Sequence, residues 1–88
     1  MPEAGIPRPR ALVTGAARRL GRAMALDLAA RGFDVAVHYA GSDTDAQEVV
    51  AQITAMGQQA VALQADLTIE ADMQALLPRA AEALGGPL

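Results

Sequence analysis

Ala11-Leu12-Val13-Thr14-Gly15-Ala16-Ala17-Arg18-Arg19-Leu20-Gly21 is the stretch that decides the fold. An apolar run enters a turn bounded by two glycines, and the turn leads directly into a helical pattern, so the order is strand, tight turn, helix. After a buried parallel strand one glycine lets the chain turn sharply, and a second lets helix and backbone approach closely. The new helix then offers unpaired N–H groups and its positive dipole end to an anion.

Outward from this turn, three cycles of strand and helix are legible. Residues 10–14 make the first strand, and the helix after it covers residues 20–31, with Leu20, Met24 and Leu28 at i, i+4, i+8 and Ala23 and Leu26 beside them as its buried face. Gly32 stands where a left-handed residue ends a helix. Residues 34–39 form the second strand, whose Val35-Ala36-Val37 run suits burial on both faces. The second helix begins near Ser42, where Thr44 with Gln47 fits a capping box, and the stripes Ala46-Val50-Ile53 and Val49-Ile53-Met56 give its buried side before Gly57 closes it.

Residues 60–65 read as the third strand, ending at Asp66-Leu67-Thr68 with Thr68 a cap for the helix that follows. That helix buries Met73, Leu76, Leu77, Ala80 and Leu84, and Gly85-Gly86-Pro87 stops it. Pro78 interrupts the pattern, since it cannot donate to the Gln74 carbonyl, and predicts a bend or a break into two pieces. Strands separated by such helices imply parallel pairing with right-handed crossovers and spatial order 3-2-1. The unit is β-α-β-α-β-α, half of a doubly wound α/β sheet, and a fourth strand beside the first would begin beyond Leu88.

Composition limits what such a chain does. With 88 residues, 52% hydrophobic and only one Phe and one Tyr, it packs alanine-rich helices closely on a sheet, around a modest core. The formal charge of −3, with Arg8, Arg10, Arg18, Arg19 and Arg22 gathered early, argues against general nucleic-acid binding while allowing a local anion site. Cysteine is absent, so there is no disulfide framework, thiolate nucleophile or Cys-based metal site. No run of about 18 apolar residues offers a membrane span. Residues 1–9, with Pro2, Gly5, Pro7 and Pro9, lack the apolar centre of a signal peptide and read as a short flexible arm on a cytoplasmic protein.

The turn is neither the plain G-x-G-x-x-G pattern nor a P-loop. It resembles the T-G-x-x-x-G-x-G turn of the short-chain dehydrogenase/reductases, with Thr14-Gly15 opening it, Gly21 closing it and Arg19 in place of the middle glycine. Arg19-Leu20-Gly21, His38-Tyr39, Ser42 and Gln64-Ala65-Asp66-Leu67 are similar to the pteridine reductase branch, at matching spacing over nearly the whole chain. The resemblance implies a Rossmann-type fold over residues 10–88. It implies further that Gly15, Arg19, Leu20 and Gly21 line the cofactor pyrophosphate and nicotinamide end, and that Asp66 and Leu67 hold the adenine.

Charge decides which dinucleotide is expected. A site that takes NAD(H) usually carries Asp or Glu about 20 residues past the glycines, to accept from the ribose 2′-hydroxyl. Here the second strand ends Val37-His38-Tyr39-Ala40, its nearest acid being Asp43. A 2′-phosphate would meet Arg18 together with Ser42, which favours NADP(H) over NAD(H), and His38 either joins them or makes a local hydrogen bond at the strand end. Where the pteridine reductases carry Arg before the serine this chain has Gly41, so the clamp leans on Arg18 and the Ser42 hydroxyl. Arg19 opposes the helix dipole, and Arg18, Arg19 and Arg22 would repel one another without a bound anion.

Catalysis in this superfamily uses a Tyr donor, a Lys and a Ser. The chain has no Lys, and its single Tyr39 belongs to the cofactor half, so no catalytic residue is assigned. The expectation is the N-terminal part of an NADP(H)-dependent oxidoreductase that transfers hydride to a carbonyl or imine, with pterins leading and a 3-oxoacyl or sugar-type reductase as the alternative. Full-length relatives imply a tetramer, with the small-molecule substrate read by residues outside this stretch. The competing class is a non-catalytic dinucleotide-binding or assembly module completed by another chain, with the open side of the first strand as its docking edge.

Overall fold

Each apolar run becomes a strand, and each helix ends at or beside a glycine with positive φ. The computed structural model describes residues 8–88. The elements are β1 (Arg10–Val13), α1 (Arg19–Ala30), β2 (Asp34–Tyr39), α2 (Asp43–Ala55), β3 (Ala60–Gln64) and α3 (Glu70–Leu84). The strands form one parallel sheet in the order β1-β2-β3, the expected order, with Val13 opposite Val37 and Tyr39 opposite Gln64. Most of the expected arm, residues 1–7, lies outside the described residues. Arg8 and Pro9 are tied in, because the Asp34 amide donates to the Pro9 carbonyl at 2.9 Å and the Arg8 guanidinium reaches the Asp34 carboxylate at 3.2 Å.

The central strand β2 divides the interior in two. Its Val35 and Val37 point to the side covered by α1 and α2, where Ala25, Ala29, Ala46, Val49 and Ile53 are buried against them. Ala36 points to the other side and packs with Leu63, Ala65, Leu76, Ala80 and Leu84 beneath α3. Arg10 fastens the sheet to the end of α3 by donating from Nε to the Leu84 carbonyl at 3.0 Å.

Alanine takes the inner face of α1, which corrects the stripe read from the sequence. Ala25 and Ala29 are buried, while Leu20 and Met24 are 73% and 50% exposed. A small side chain lets the helix approach the sheet closely, and the larger ones are directed past β1, which has a strand neighbour on one side only. On α3 Leu76, Ala80 and Leu84 are buried while Met73 and Leu77 stay exposed, and on α2 Val49 is buried while Met56 is exposed.

Two helix-end expectations and the expected break at Pro78 are also corrected. No side-chain bond caps α2 at Ser42, because Thr44 already lies inside the helix and cannot build the box with Gln47. The N-cap of α3 is Ile69, and the Thr68 hydroxyl donates to Asp66 instead. The third helix runs unbroken through Pro78. Pro78 and Gln74 both lie on its exposed side, where water can satisfy the orphaned carbonyl.

Candidate functional site

All three strands point their C-terminal ends at one region, the place where open α/β sheets bind ligands. There the turn after β1, the end of β2 and the end of β3 are laced together through His38. The Gly15 N–H donates to His38 Nδ1 at 2.9 Å, and the Ala16 N–H donates to the His38 carbonyl at the same distance. On its other side His38 Nε2 lies 2.9 Å from the Ala65 carbonyl, and the Ala65 N–H donates to the Tyr39 carbonyl at 3.1 Å. A carbonyl only accepts and an amide N–H only donates, so these partners require the neutral ring with its proton on Nε2.

This placement changes the part expected of His38. The ring is only 3% exposed and both nitrogens are taken, leaving neither for a 2′-phosphate. It holds two loops at their working distance instead. Sequence reading offers such a hydrogen bond as the alternative for His38 but not its partners, because they depend on how β1, β2 and β3 line up, and no local pattern records that.

Gly15 adopts φ = 61°, and a Cβ there would meet open space, so the turn's outer surface is clear for a ligand. At Gly21 the reverse holds. A Cβ there would collide with the Gly15 carbonyl oxygen and approach the carbonyl carbon to 2.8 Å, so this glycine lets the first turn of α1 rest on the loop. Arg19, in the middle position, adopts φ = 56° without being a glycine. Its side chain is exposed, and among the described residues it forms no ion pair.

Two clefts share Gly15 as a wall. One, of about 160 Å³, is lined by Gly15, Ala17, Arg18 and Tyr39 to Ser42, and so brings the turn to the end of β2. The Ser42 side chain makes no capping bond to α2. The other, of about 410 Å³, runs along β1 past Thr14, Leu20, Gly21 and Met24.

Charges around the first cleft are more balanced than the sequence suggests. Arg18 Nε lies 2.7 Å from Asp45 Oδ2, and Arg22 lies 3.5 Å from Glu48, so two arginines expected to repel one another are paired with acids on α2. The end of β2 is free of acids, but the first turn of α2 carries Asp43 and Asp45. Tyr39 donates its hydroxyl to Asp43 at 2.8 Å; that bond, with some desolvation and the nearby negative charge, raises the phenol above its ordinary pKa.

Beyond β3, Asp66 closes a turn on Thr68, accepting from its hydroxyl at 2.6 Å and its amide at 2.9 Å through Oδ1. The hydroxyl bond, then the amide bond, holds the carboxyl below the ordinary carboxylate range. Oδ2 receives no protein hydrogen bond among the described residues, and Leu67 beside it is 38% exposed. Asp66 therefore makes the local turn through one oxygen alone.

The model of the short chain dehydrogenase family matches residues 9–88. The chain belongs to that family. A hydroxynaphthalene reductase from Aspergillus fumigatus is 52% identical over 67 residues, covering 76% of this chain and 24% of that protein. Among solved structures, a short chain dehydrogenase from Burkholderia cenocepacia in complex with NADP has a TM-score of 0.86 at 48% identity, over 90% of this chain and 32% of that one. The FolM alternative dihydrofolate reductase from Brucella suis, also in complex with NADP, has a TM-score of 0.83 at 38% identity, over 91% and 32%. The chain thus spans about a quarter to a third of the length of these relatives.

Proposed function

We propose that this chain is the NADP(H)-binding portion of a reductase whose hydride acceptor is bound and protonated by residues outside these 88. One observation carries the reading: the glycine turn, Arg18 and the uncommitted Ser42 hydroxyl converge on a single cleft at the end of β2. In this reading the adenine ribose and its 2′-phosphate occupy that cleft, with the adenine against Asp66 and Leu67. The pyrophosphate crosses Gly15, and the nicotinamide follows the cleft along β1. Gly15, Leu20 and Gly21 supply backbone and space, and the unpaired Arg19 supplies charge to the pyrophosphate. Tyr39, with its hydroxyl committed to Asp43, contributes the wall of the cleft. When bound, the cofactor supplies the hydride.

The substrate class is a carbonyl or imine. Within it we favour a pterin, because Arg19-Leu20-Gly21 with His38 resembles the pteridine reductase branch and a dihydrofolate reductase stands among the structural relatives. The hydroxynaphthalene reductase supports an aromatic ketone instead. Assay of the full-length enzyme against a dihydropterin and a cyclic aromatic ketone separates them by kcat/KM, and a tetramer is the expected assembly by sedimentation.

For the 88-residue chain itself the test is thermal. Ligand at ten times its Kd adds about 1.4 kcal/mol, equivalent to about 5–10 °C in a domain of this size. NADPH is expected to raise the melting temperature by that order and NADH by less. A melting temperature that does not respond to saturating NADPH would falsify the reading.

A further inference from the structure

The cation expected to recognise the 2′-phosphate is already held by a carboxylate of the same chain. Arg18 Nε donates to Asp45 Oδ2 at 2.7 Å, with 66% of the arginine side chain and 37% of the aspartate exposed. Asp45 is the third residue of α2, three positions after Ser42 and two beyond Asp43. Asp43 is engaged by the Tyr39 hydroxyl, so of the two acids in that turn it is Asp45 that bears on Arg18.

A carboxylate and a phosphate ask the same thing of a guanidinium: two oxygens in its plane, with negative charge behind them. A 2′-phosphate entering the cleft must displace Asp45 from Arg18, or take the guanidinium's other edge and face the carboxylate across it. Either course costs binding energy, and a ribose with a plain 2′-hydroxyl incurs neither cost. We propose that Asp45 is a specificity-determining residue, which occupies Arg18 in place of the 2′-phosphate and so lowers the preference for the phosphorylated dinucleotide. This rests on the NADP(H) reading of the site, and adds that the preference is set by competition between Asp45 and the ligand for one arginine.

The test uses the 88-residue chain with 2′,5′-ADP and 5′-AMP, which differ at the 2′ position alone, and follows binding by NMR titration. Asp45→Asn is expected to tighten 2′,5′-ADP about two- to fivefold, the range of an exposed ion pair, with 5′-AMP unchanged. Asp27→Asn removes the same charge at the far end of α1, where Asp27 pairs with Arg31 at 3.0 Å, and is expected to leave both ligands unchanged. In an Arg18→Gln background the Asp45→Asn gain should vanish. An unchanged or weaker affinity of Asp45→Asn for 2′,5′-ADP overturns the proposal, as does an equal gain in Asp27→Asn or in the Arg18→Gln background. If neither wild type nor Asp45→Asn binds 2′,5′-ADP, the NADP(H) reading falls as well; if 2′,5′-ADP binds and ignores residue 45, only the competition is lost.

Discussion

Arg19 holds a left-handed backbone, φ = 56°, at a place where a side chain bearing a Cβ costs about 1–2 kcal/mol relative to glycine. Arg19→Gly is therefore expected to raise the stability of the ligand-free chain by about 1 kcal/mol in urea denaturation. It should at the same time weaken dinucleotide binding, since it removes the unpaired cation at the turn. Unchanged or tighter dinucleotide binding in Arg19→Gly would show that the arginine contributes no charge to the ligand. His38 works in the opposite direction. His38→Leu leaves the Gly15 N–H and the Ala65 carbonyl without their partner, at about 1–3 kcal/mol for each buried group left unsatisfied. His38→Asn keeps one acceptor and one donor on the same side chain, so it should recover part of that loss; equal stability of the two variants would count against the bridging role.

At the scale of the element, the strands and the helix ends were legible because each depends on neighbours in the chain. An unbroken Val-Ala-Val run marks a strand covered on both sides, and Gly32, Gly57 and Gly85 stand at the three helix ends with φ of 98°, 91° and 85°. Which side of a helix faces inward was less legible. In an alanine-rich helix two apolar faces compete, and closeness of approach favours the smaller side chains over the larger ones. The site divides the same way. Gly15 and Gly21 were legible from their place between strand and helix, and Arg18 and Asp66 were expected through the family resemblance, whereas the Arg18–Asp45 pair joins positions 27 apart and the His38 bonds join three strands. Helix α3 also carries its own prediction. Pro78 removes a helical hydrogen bond from a solvated face, so Pro78→Ala is expected to stabilise the chain by about 1–2 kcal/mol, less than the full helix-interior cost because proline also restrains the unfolded chain. Circular dichroism through a thermal melt measures it.

At the scale of the whole molecule, the stability of the chain should depend on acid through Asp66. Its carboxyl is held below the ordinary carboxylate value in the folded chain, so its contribution is complete above the unfolded pKa near 3.8 and is lost as pH falls through the lower folded one. Thr68→Val removes the stronger of the two bonds and is expected to bring the folded pKa back toward 3.8, which carboxyl NMR titration reads directly. A folded pKa unmoved by the substitution would assign the shift to the amide alone. Among the described residues no helix is long and apolar enough to cross a membrane. The larger exposed apolar side chains include Leu20 and Met24, which line the cleft along β1, and Ile69, Met73 and Leu77 at the start of α3 and along it.

His38 is the single histidine of the chain, and its two nitrogens face two different parts of the molecule. Its ring is thus a gauge that touches both regions at once. Nitrogen-15 shifts of Nδ1 report whether the glycine loop is seated, and those of Nε2 report whether the third strand is in register. During gradual denaturation, or as a dinucleotide is added, one resonance pair can reveal which of the two detaches first. Uniform nitrogen-15 labelling is enough to read it, with no probe group attached to the chain.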